Sequence, residues 1–120
     1  MDLYQQNIMD YYKHPRKQGL PTGATHRGDM ANPLCGDKID LHLVMSGGTV
    51  TKAGWEGEGC VLSLAAADML AEYLQGKSET EAGAVDQSWV KKSLGVSPSP
   101  SRLKCALLAL EALQKALAKN

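Results

Sequence analysis

Alternation of apolar and polar residues marks the middle of the chain as β-structure. Over residues 38–45, every second position is apolar and most positions between are polar or charged; the apolar set is Ile39, Leu41, Leu43 and Met45. This period of two predicts a half-buried strand. A turn is predicted at residues 46–48. Residues 49–56 then return as a second strand, with Ala53 and Trp55 facing inward, so the two strands form a hairpin.

Apolar residues recur at helical spacing on both sides of this hairpin. The pattern predicts helices at residues 3–13, at about residues 60–75, within residues 78–95 as one bent or two short helices, and at about residues 101–118. Pro15 ends the first helix and Gly76 ends the second. Ser99 or Ser101 is the candidate N-cap of the last helix.

The two longest predicted helices each carry an apolar stripe that needs a partner. The buried face of the 60–75 helix is predicted to be Leu62, Ala65, Ala66, Met69, Leu70 and Tyr73. The stripe of the last helix is Leu103, Leu107, Leu110, Leu113 and Leu117. A third strand is predicted at residues 26–31, inside an otherwise irregular polar connection over residues 16–34. The fold class is therefore α+β, a small antiparallel sheet packed against several helices.

Composition changes this picture little, but it excludes several classes of function. The 120 residues are 43% apolar and 22% charged, which suits one globular domain over residues 1–120. Thirteen basic and thirteen acidic residues give a net charge of zero, which argues against nucleic acid or a membrane surface as a partner. We expect neither a signal peptide nor a transmembrane segment. Three cysteines, an odd number, favour a reducing, cytoplasmic setting.

A thiol and a carboxylate lie two residues apart in the segment Asn32-Pro33-Leu34-Cys35-Gly36-Asp37. In extended backbone, residues i and i+2 point to the same side. Gly36 permits the positive φ that lets the chain curl. Cys35 and Asp37 are therefore predicted to reach a single cation.

Two further cysteines, Cys60 and Cys105, are placed where helices are predicted to begin. Three sulfurs and one oxygen from Cys35, Asp37, Cys60 and Cys105 make the four ligands that zinc normally takes. A buried free cysteine is usually a small apolar core residue, but Cys35 lies in a polar loop and Cys105 lies off the main leucine stripe. A disulfide between two of the cysteines is disfavoured by their odd number, and a purely structural zinc is disfavoured by the lack of CxxC spacing.

The charge of such a site requires compensation. Three thiolates and one carboxylate around Zn²⁺ leave a net charge of minus two, so cations or helix N-termini are expected nearby. Arg102, one turn before Cys105, is a candidate for this role, and Lys104 is adjacent to the same cysteine. Both could equally be ordinary solvated charges.

The chain resembles the iron–sulfur assembly family of IscU, NifU N-terminal domains and SufU over nearly its whole length. The segments that carry the resemblance are Leu3-Tyr4, Ile8-Met9-Asp10-Tyr11-Tyr12-Lys13-His14-Pro15-Arg16, Asn32–Asp37, Glu56-Gly57-Glu58-Gly59-Cys60 and Arg102-Leu103-Lys104-Cys105-Ala106. The resemblance implies an α+β fold in which Cys35, Asp37, Cys60 and Cys105 converge at one tip.

The family resemblance implies one of two functions. IscU-type members assemble a [2Fe–2S] cluster and typically have a His before the third cysteine, whereas SufU-type members hold zinc and relay sulfane sulfur. Here that position is Lys104, and the Leu-Pro-Pro-Val-Lys motif of IscU-type members is replaced by Ser99–Lys104. Both differences favour the SufU type. SufU-type chains usually carry an extra segment before the third cysteine, and the stretch between Gly76 and Arg102 is too short to contain it.

By this resemblance, the sulfur donor is a pyridoxal-phosphate cysteine desulfurase, and downstream cluster-assembly proteins receive the sulfur. Cys35 is predicted to be the catalytic thiol that takes the persulfide sulfur, which makes the chain a candidate sulfurtransferase with zinc as its cofactor. Partner binding is expected to free Cys35 from the metal while Asp37, Cys60 and Cys105 hold it. The competing hypothesis is a scaffold on which the three cysteines ligate iron in a [2Fe–2S] cluster. A plain zinc-stabilised interaction module is the third hypothesis.

Overall fold

A computed structural model describes the backbone of residues 3–118 and the side chains of residues 5–118. The Leu3 and Tyr4 side chains, part of the family resemblance, lie outside the described residues. In chain order the elements are α1 (Leu3–Lys13), β1 (His26–Asn32), β2 (Asp37–Ser46), β3 (Thr49–Glu58), α2 (Val61–Leu74), α3 (Glu79–Gly83), α4 (Gln87–Leu94), α5 (Pro100–Ala106) and α6 (Leu108–Ala118). The α+β class predicted from the sequence is confirmed.

The sheet has three antiparallel strands in the order β1-β2-β3. Of the inward-facing set that the sequence predicts for β2, Ile39, Leu41 and Leu43 are fully buried. Met45 is only half-buried, because the register with β3 shifts between Val44 and Met45. The third strand, predicted at residues 26–31, is present as β1 and pairs with β2 as a hairpin from His26 opposite Leu43 to Asn32 opposite Asp37. The hairpin end at Asn32 and Asp37 positions the site described below.

Helix α2 is the centre of the domain. Its predicted apolar face is buried or half-buried, but Ser63, Ala67, Asp68 and Ala71 are buried as well. The reason is that α2 contacts α1, α4, α5, α6 and the sheet, so several of its faces are covered. Many of its buried residues are alanines, and their small side chains let the neighbouring elements approach closely.

A buried carboxylate ties the irregular segment after α1 to this core. Asp68 accepts hydrogen bonds from the backbone N–H groups of Arg16 (2.8 Å) and Lys17 (2.7 Å) and from the indole N–H of Trp55 (2.9 Å). A buried charge is stable only when its oxygens are hydrogen-bonded in this way. Asp68 therefore joins α2, β3 and the 16–17 segment.

The C-terminal region differs from the single helix predicted over residues 101–118. It forms two helices, α5 and α6, because the helical hydrogen-bond pattern changes at Leu107. The N–H of Leu107 lies 3.0 Å from the carbonyl oxygen of Leu103 and 3.3 Å from that of Lys104. No glycine or proline marks this break, so it could not be read from the sequence. Of the two N-cap candidates, Ser99 takes the position and Pro100 follows it in the first turn.

Among the described residues, no helix is both long and apolar enough to cross a bilayer.

Candidate metal centre

A tight turn between β1 and β2 presents Cys35 to solvent. The backbone carbonyl of Asn32 accepts hydrogen bonds from the N–H groups of Cys35 (3.2 Å) and Gly36 (2.8 Å), and the Asn32 side chain accepts one from the N–H of Leu34 (3.1 Å). Gly36 has φ +77°, the left-handed conformation expected from the sequence. Cys35 is exposed, and so is the apolar side chain of Leu34, at 90%.

Asp37 is the first residue of β2, and it is buried, with 4% of the residue exposed. The hydroxyl of Ser63 donates a hydrogen bond of 2.5 Å to one of its oxygens. Gly59 packs directly against this carboxylate, since a Cβ on Gly59 would lie 2.7 Å from the Asp37 Cγ. The segment before α2 therefore needs glycine at this position.

Cys60 is the N-cap residue of α2, as the sequence predicts, and is half-buried. Its Sγ lies 3.5 Å from the hydroxyl oxygen of Ser63. Cys60 also helps to lower the pKa of Asp37. Cys60 and Asp37 thus meet at the first turn of α2.

Cys105 differs from the sequence-based expectation in two respects. It lies near the end of α5 rather than at a helix start, and it is buried, with 7% of the residue exposed. The break at Leu107 accounts for the first difference, because it ends α5 at Ala106 and separates Cys105 from the leucine stripe of α6. The Sγ atoms of Cys105 and Cys35 are 3.3 Å apart.

Three of the four predicted ligands form one compact group. The ligand atoms of Cys35, Asp37 and Cys105 all lie within 4.8 Å of one another. Two thiolates on a tetrahedral zinc ion, each about 2.3 Å from the metal, are about 3.7 Å apart, which is close to the Cys35–Cys105 separation. Cys60 is not one of these three, but it contacts Asp37 and Ser63 beside them. The donor set of sulfur atoms and one carboxylate fits zinc.

Protonation in the metal-free site follows from burial and hydrogen bonding. Burial, and then contacts with Cys35 and Asp37, raise the pKa of Cys105 to about 12. Burial alone would raise the pKa of Asp37, but hydrogen bonds from Ser63, Cys105 and Cys60 outweigh it and leave that pKa below its usual value. A cation binding here must expel the Cys105 proton, so metal affinity is expected to rise with pH.

Ser63 is the site residue that sequence reasoning missed. It is buried in the first turn of α2, and its hydroxyl oxygen also lies 3.1 Å from the backbone carbonyl of Cys105. A hydroxyl has a single proton, so the shorter contact, with Asp37, is its main donated bond. The available signal was its position three residues after Cys60, which places both side chains on one face of the helix.

The two basic residues near Cys105 are both exposed. Arg102 lines a groove of about 640 Å³ together with Val61 and Pro98. Its proposed role as a compensating charge remains a prediction, as does that of Lys104.

We predict that Ser63→Ala lowers the free energy of unfolding of the metal-free protein by about 1–3 kcal/mol at neutral pH, because the buried Asp37 carboxylate loses its shortest hydrogen bond. A depressed pKa stabilises the fold above the unfolded-state pKa and loses that contribution as the pH falls through the folded-state pKa. The substitution raises the pKa of Asp37, so acid destabilisation should begin at a higher pH.

Urea titrations across the acidic range would measure this difference. Ser88→Ala, at an exposed position in the first turn of α4, is the matched control. Equal curves for the two variants would show that the Ser63–Asp37 bond contributes nothing to stability.

A family model described as the NifU-like N terminal domain matches residues 3–120. Among curated proteins, the chain is 37% identical to the zinc-dependent sulfurtransferase SufU of Bacillus subtilis, covering 98% of this chain and 91% of that protein. That alignment runs over 135 residues, whereas this chain has 120, so the relative contains residues with no counterpart here.

Two further comparisons agree with this match. The chain is 31% identical to the iron–sulfur cluster assembly scaffold protein IscU of Thermotoga maritima, covering 98% of this chain and 94% of that protein. The crystal structure of an iron–sulfur cluster assembly scaffold protein for the SUF system from Fervidobacterium islandicum superposes with a TM-score of 0.79 at 27% identity, covering 93% of this chain and 94% of that one. The family resemblance read from the motifs is confirmed.

Proposed function

The chain belongs to the family of NifU-like N-terminal domains, and from this membership we propose that it accepts and relays persulfide sulfur for iron–sulfur cluster assembly in a zinc-dependent manner. The B. subtilis relative that supports the zinc-dependent reading is named as a sulfurtransferase and is 37% identical.

One structural observation carries the proposal. An exposed thiol, Cys35, stands on a tight turn, and its Sγ lies 3.3 Å from the buried Sγ of Cys105. A thiol that receives sulfur must be reached by the donor, and one that also binds metal must have other ligands beside it. Cys35, with Asp37 and Cys105 at its side, meets both requirements.

We assign Cys35, Asp37, Cys60 and Cys105 as the zinc ligands and Cys35 as the catalytic thiol. Bound zinc would keep its cysteine ligands deprotonated at neutral pH. Other residues hold these groups in place. Ser63 and Gly59 position the Asp37 carboxylate, and the hydrogen bonds to Asn32 hold the turn that carries Cys35.

The transfer itself is a thiol–persulfide exchange. The Cys35 thiolate attacks the outer sulfur of a persulfide on the donor's cysteine. A new S–S bond forms on Cys35, the S–S bond of the donor breaks, and the donor cysteine leaves as a thiolate. No other oxidant or reductant is required.

The donor that suits this chemistry is a pyridoxal-phosphate cysteine desulfurase, and the recipients are downstream cluster-assembly proteins. With that partner the chain acts as a sulfurtransferase. Three cysteines, all free, are consistent with the reducing cytoplasm as the place where it works.

The second candidate is a scaffold that builds a [2Fe–2S] cluster on the three cysteines. The 31% identity to a T. maritima protein named as a cluster assembly scaffold favours it. Lys104 favours the relay, because IscU-type scaffolds typically carry a His at this position, immediately before the third cysteine.

We predict that freshly isolated protein contains about one zinc ion per chain and no acid-labile sulfide, because four S/O ligands make one zinc site. Anaerobic incubation with ferrous iron, cysteine and a desulfurase should then leave it colourless while it stimulates cysteine turnover by the desulfurase. Metal analysis would measure the zinc and iron content, and visible absorbance would detect a cluster.

The variant Asp37→Ala separates these readings from a plain interaction module. We expect this variant to impair stimulation of the desulfurase. If the chain is instead a plain interaction module, the same variant should leave sulfur supply intact. If the protein turns brown and holds iron and sulfide in equal amounts, the relay hypothesis is wrong and the scaffold hypothesis takes its place.

A further inference from the structure

In the proposed transfer, the Cys105 sulfur binds metal and does not itself react with the donor persulfide. The Cys35 sulfur faces solvent and the Cys105 sulfur is buried beneath it, at 3.3 Å. Atoms that react with one another without further rearrangement lie about 3–3.5 Å apart. The two thiols are therefore placed to react with each other.

We infer that Cys105 is a resolving thiol that converts a persulfide on Cys35 to hydrogen sulfide whenever no metal holds Cys105. This inference rests on the proposed function, because it requires that Cys35 carries the sulfur. It adds a second activity to the same site, the release of sulfur in its reduced form.

The step balances without an outside reagent. The sulfur of Cys105 attacks the inner sulfur of the Cys35 persulfide, and a disulfide forms between Cys35 and Cys105. The S–S bond of the persulfide breaks, and the outer sulfur takes the Cys105 proton and leaves as HS⁻. The two electrons that reduce the outer sulfur come from the Cys35–Cys105 pair, one from each sulfur as the disulfide forms, and a dithiol reductant is needed afterwards to reopen the disulfide.

Burial decides which thiol can carry out this step. Cys105 lies on the protein side of Cys35, so the outer sulfur departs toward solvent, away from the attacking atom. Cys105 is buried, so a thiol in solution does not reach it, and a disulfide at Cys105 reports attack from within the site. Cys60 is less well placed, since it contacts Ser63 and Asp37 and is outside the compact group that includes Cys35 and Cys105.

The state of Cys105 sets how fast sulfide is released. A metal ion held at the site would engage the Cys105 sulfur and block its attack, which would preserve the persulfide for an acceptor protein.

The test loads the exposed thiol with glutathione persulfide, which removes any need for the desulfurase. Metal-free wild-type protein is desalted after loading, and sulfide release is followed together with mass spectrometry of alkylated peptides. We expect sulfide and a Cys35–Cys105 disulfide to appear in equal amounts. In zinc-loaded protein and in metal-free Cys105→Ser, the persulfide should persist at least about 10-fold longer.

Ser46→Ala is the matched control, because Ser46 is exposed at the opposite end of β2 from Asp37 and its loss leaves the 3.3 Å pair in place. It should release sulfide at the wild-type rate. Equal persulfide lifetimes in wild type and Cys105→Ser, or a disulfide from Cys35 to Cys60, would overturn the inference. Peptide mapping of the wild type gives this answer even if a variant misfolds.

The experiment also separates the inference from the proposed function. If the desulfurase loads none of the proteins but the glutathione persulfide results are as expected, the relay is wrong and Cys105 still resolves the persulfide. If the desulfurase loads Cys35 but no disulfide follows in metal-free protein, the relay stands and the resolving role is wrong.

Discussion

Cys35→Ser is expected to lower the single-turnover transfer of sulfur from a desulfurase persulfide to this protein by at least about 100-fold. A serine hydroxyl does not attack a persulfide sulfur at neutral pH, and Cys105 is too buried to meet the donor in its place. The fold should be unaffected, because Cys35 is exposed and the turn that carries it is held by hydrogen bonds from backbone N–H groups to Asn32. Radiolabelled sulfur bound to the protein after gel filtration measures the transfer.

The control for this variant is Ser46→Ala. Ser46 is exposed at the opposite end of β2 from Asp37, far from the turn that carries Cys35. It should accept sulfur as the wild type does. Normal labelling of Cys35→Ser would mean that a different cysteine is the acceptor.

Asp68→Ala is expected to lower the free energy of unfolding by about 3 kcal/mol or more. The carboxylate accepts bonds from the N–H groups of Arg16, Lys17 and Trp55, and its loss leaves three donors without an acceptor. The substitution also opens a cavity in the core, since Asp68 is fully buried. Urea denaturation followed by circular dichroism measures the change.

Two further variants make this result interpretable. Asp68→Asn keeps one carbonyl oxygen as acceptor, so its stability should fall between those of Asp68→Ala and the wild type. Glu72→Ala removes an exposed carboxylate one turn along α2, which accepts a bond from the Tyr11 hydroxyl at 2.5 Å. Its cost should stay within about 1 kcal/mol. Similar losses for Asp68→Ala and Glu72→Ala would contradict the role assigned to the buried carboxylate.

Much of the fold could be predicted because its elements follow the spacing of their apolar residues. The alternation of Ile39, Leu41 and Leu43 predicts β2, and their complete burial confirms it. The break at Leu107 could not be predicted, because α5 and α6 share one continuous leucine pattern and no residue between them disfavours a helix. Tertiary packing, not local propensity, decides that boundary.

Part of the site is visible in the sequence for a local reason. Cys35 and Asp37 are two residues apart, so their proximity follows from chain geometry alone. The burial of Cys105 depends on how α5 packs on α2, and the contact of Ser63 with Asp37 depends on a residue pair 26 positions apart. No periodic pattern predicts either feature, although the position of Ser63 three residues after Cys60 places those two side chains on one face of α2.

The hairpin end at Asn32 and Asp37 limits where a sulfur atom on Cys35 can travel. These two residues are paired across the strands, and only residues 33–36 connect them. Cys35 is two residues from the fixed Asp37, so its Cα can move no farther than about 7 Å from that point. In the proposed relay, the protein that gives up the sulfur and the protein that takes it must therefore come to the same small space, one after the other.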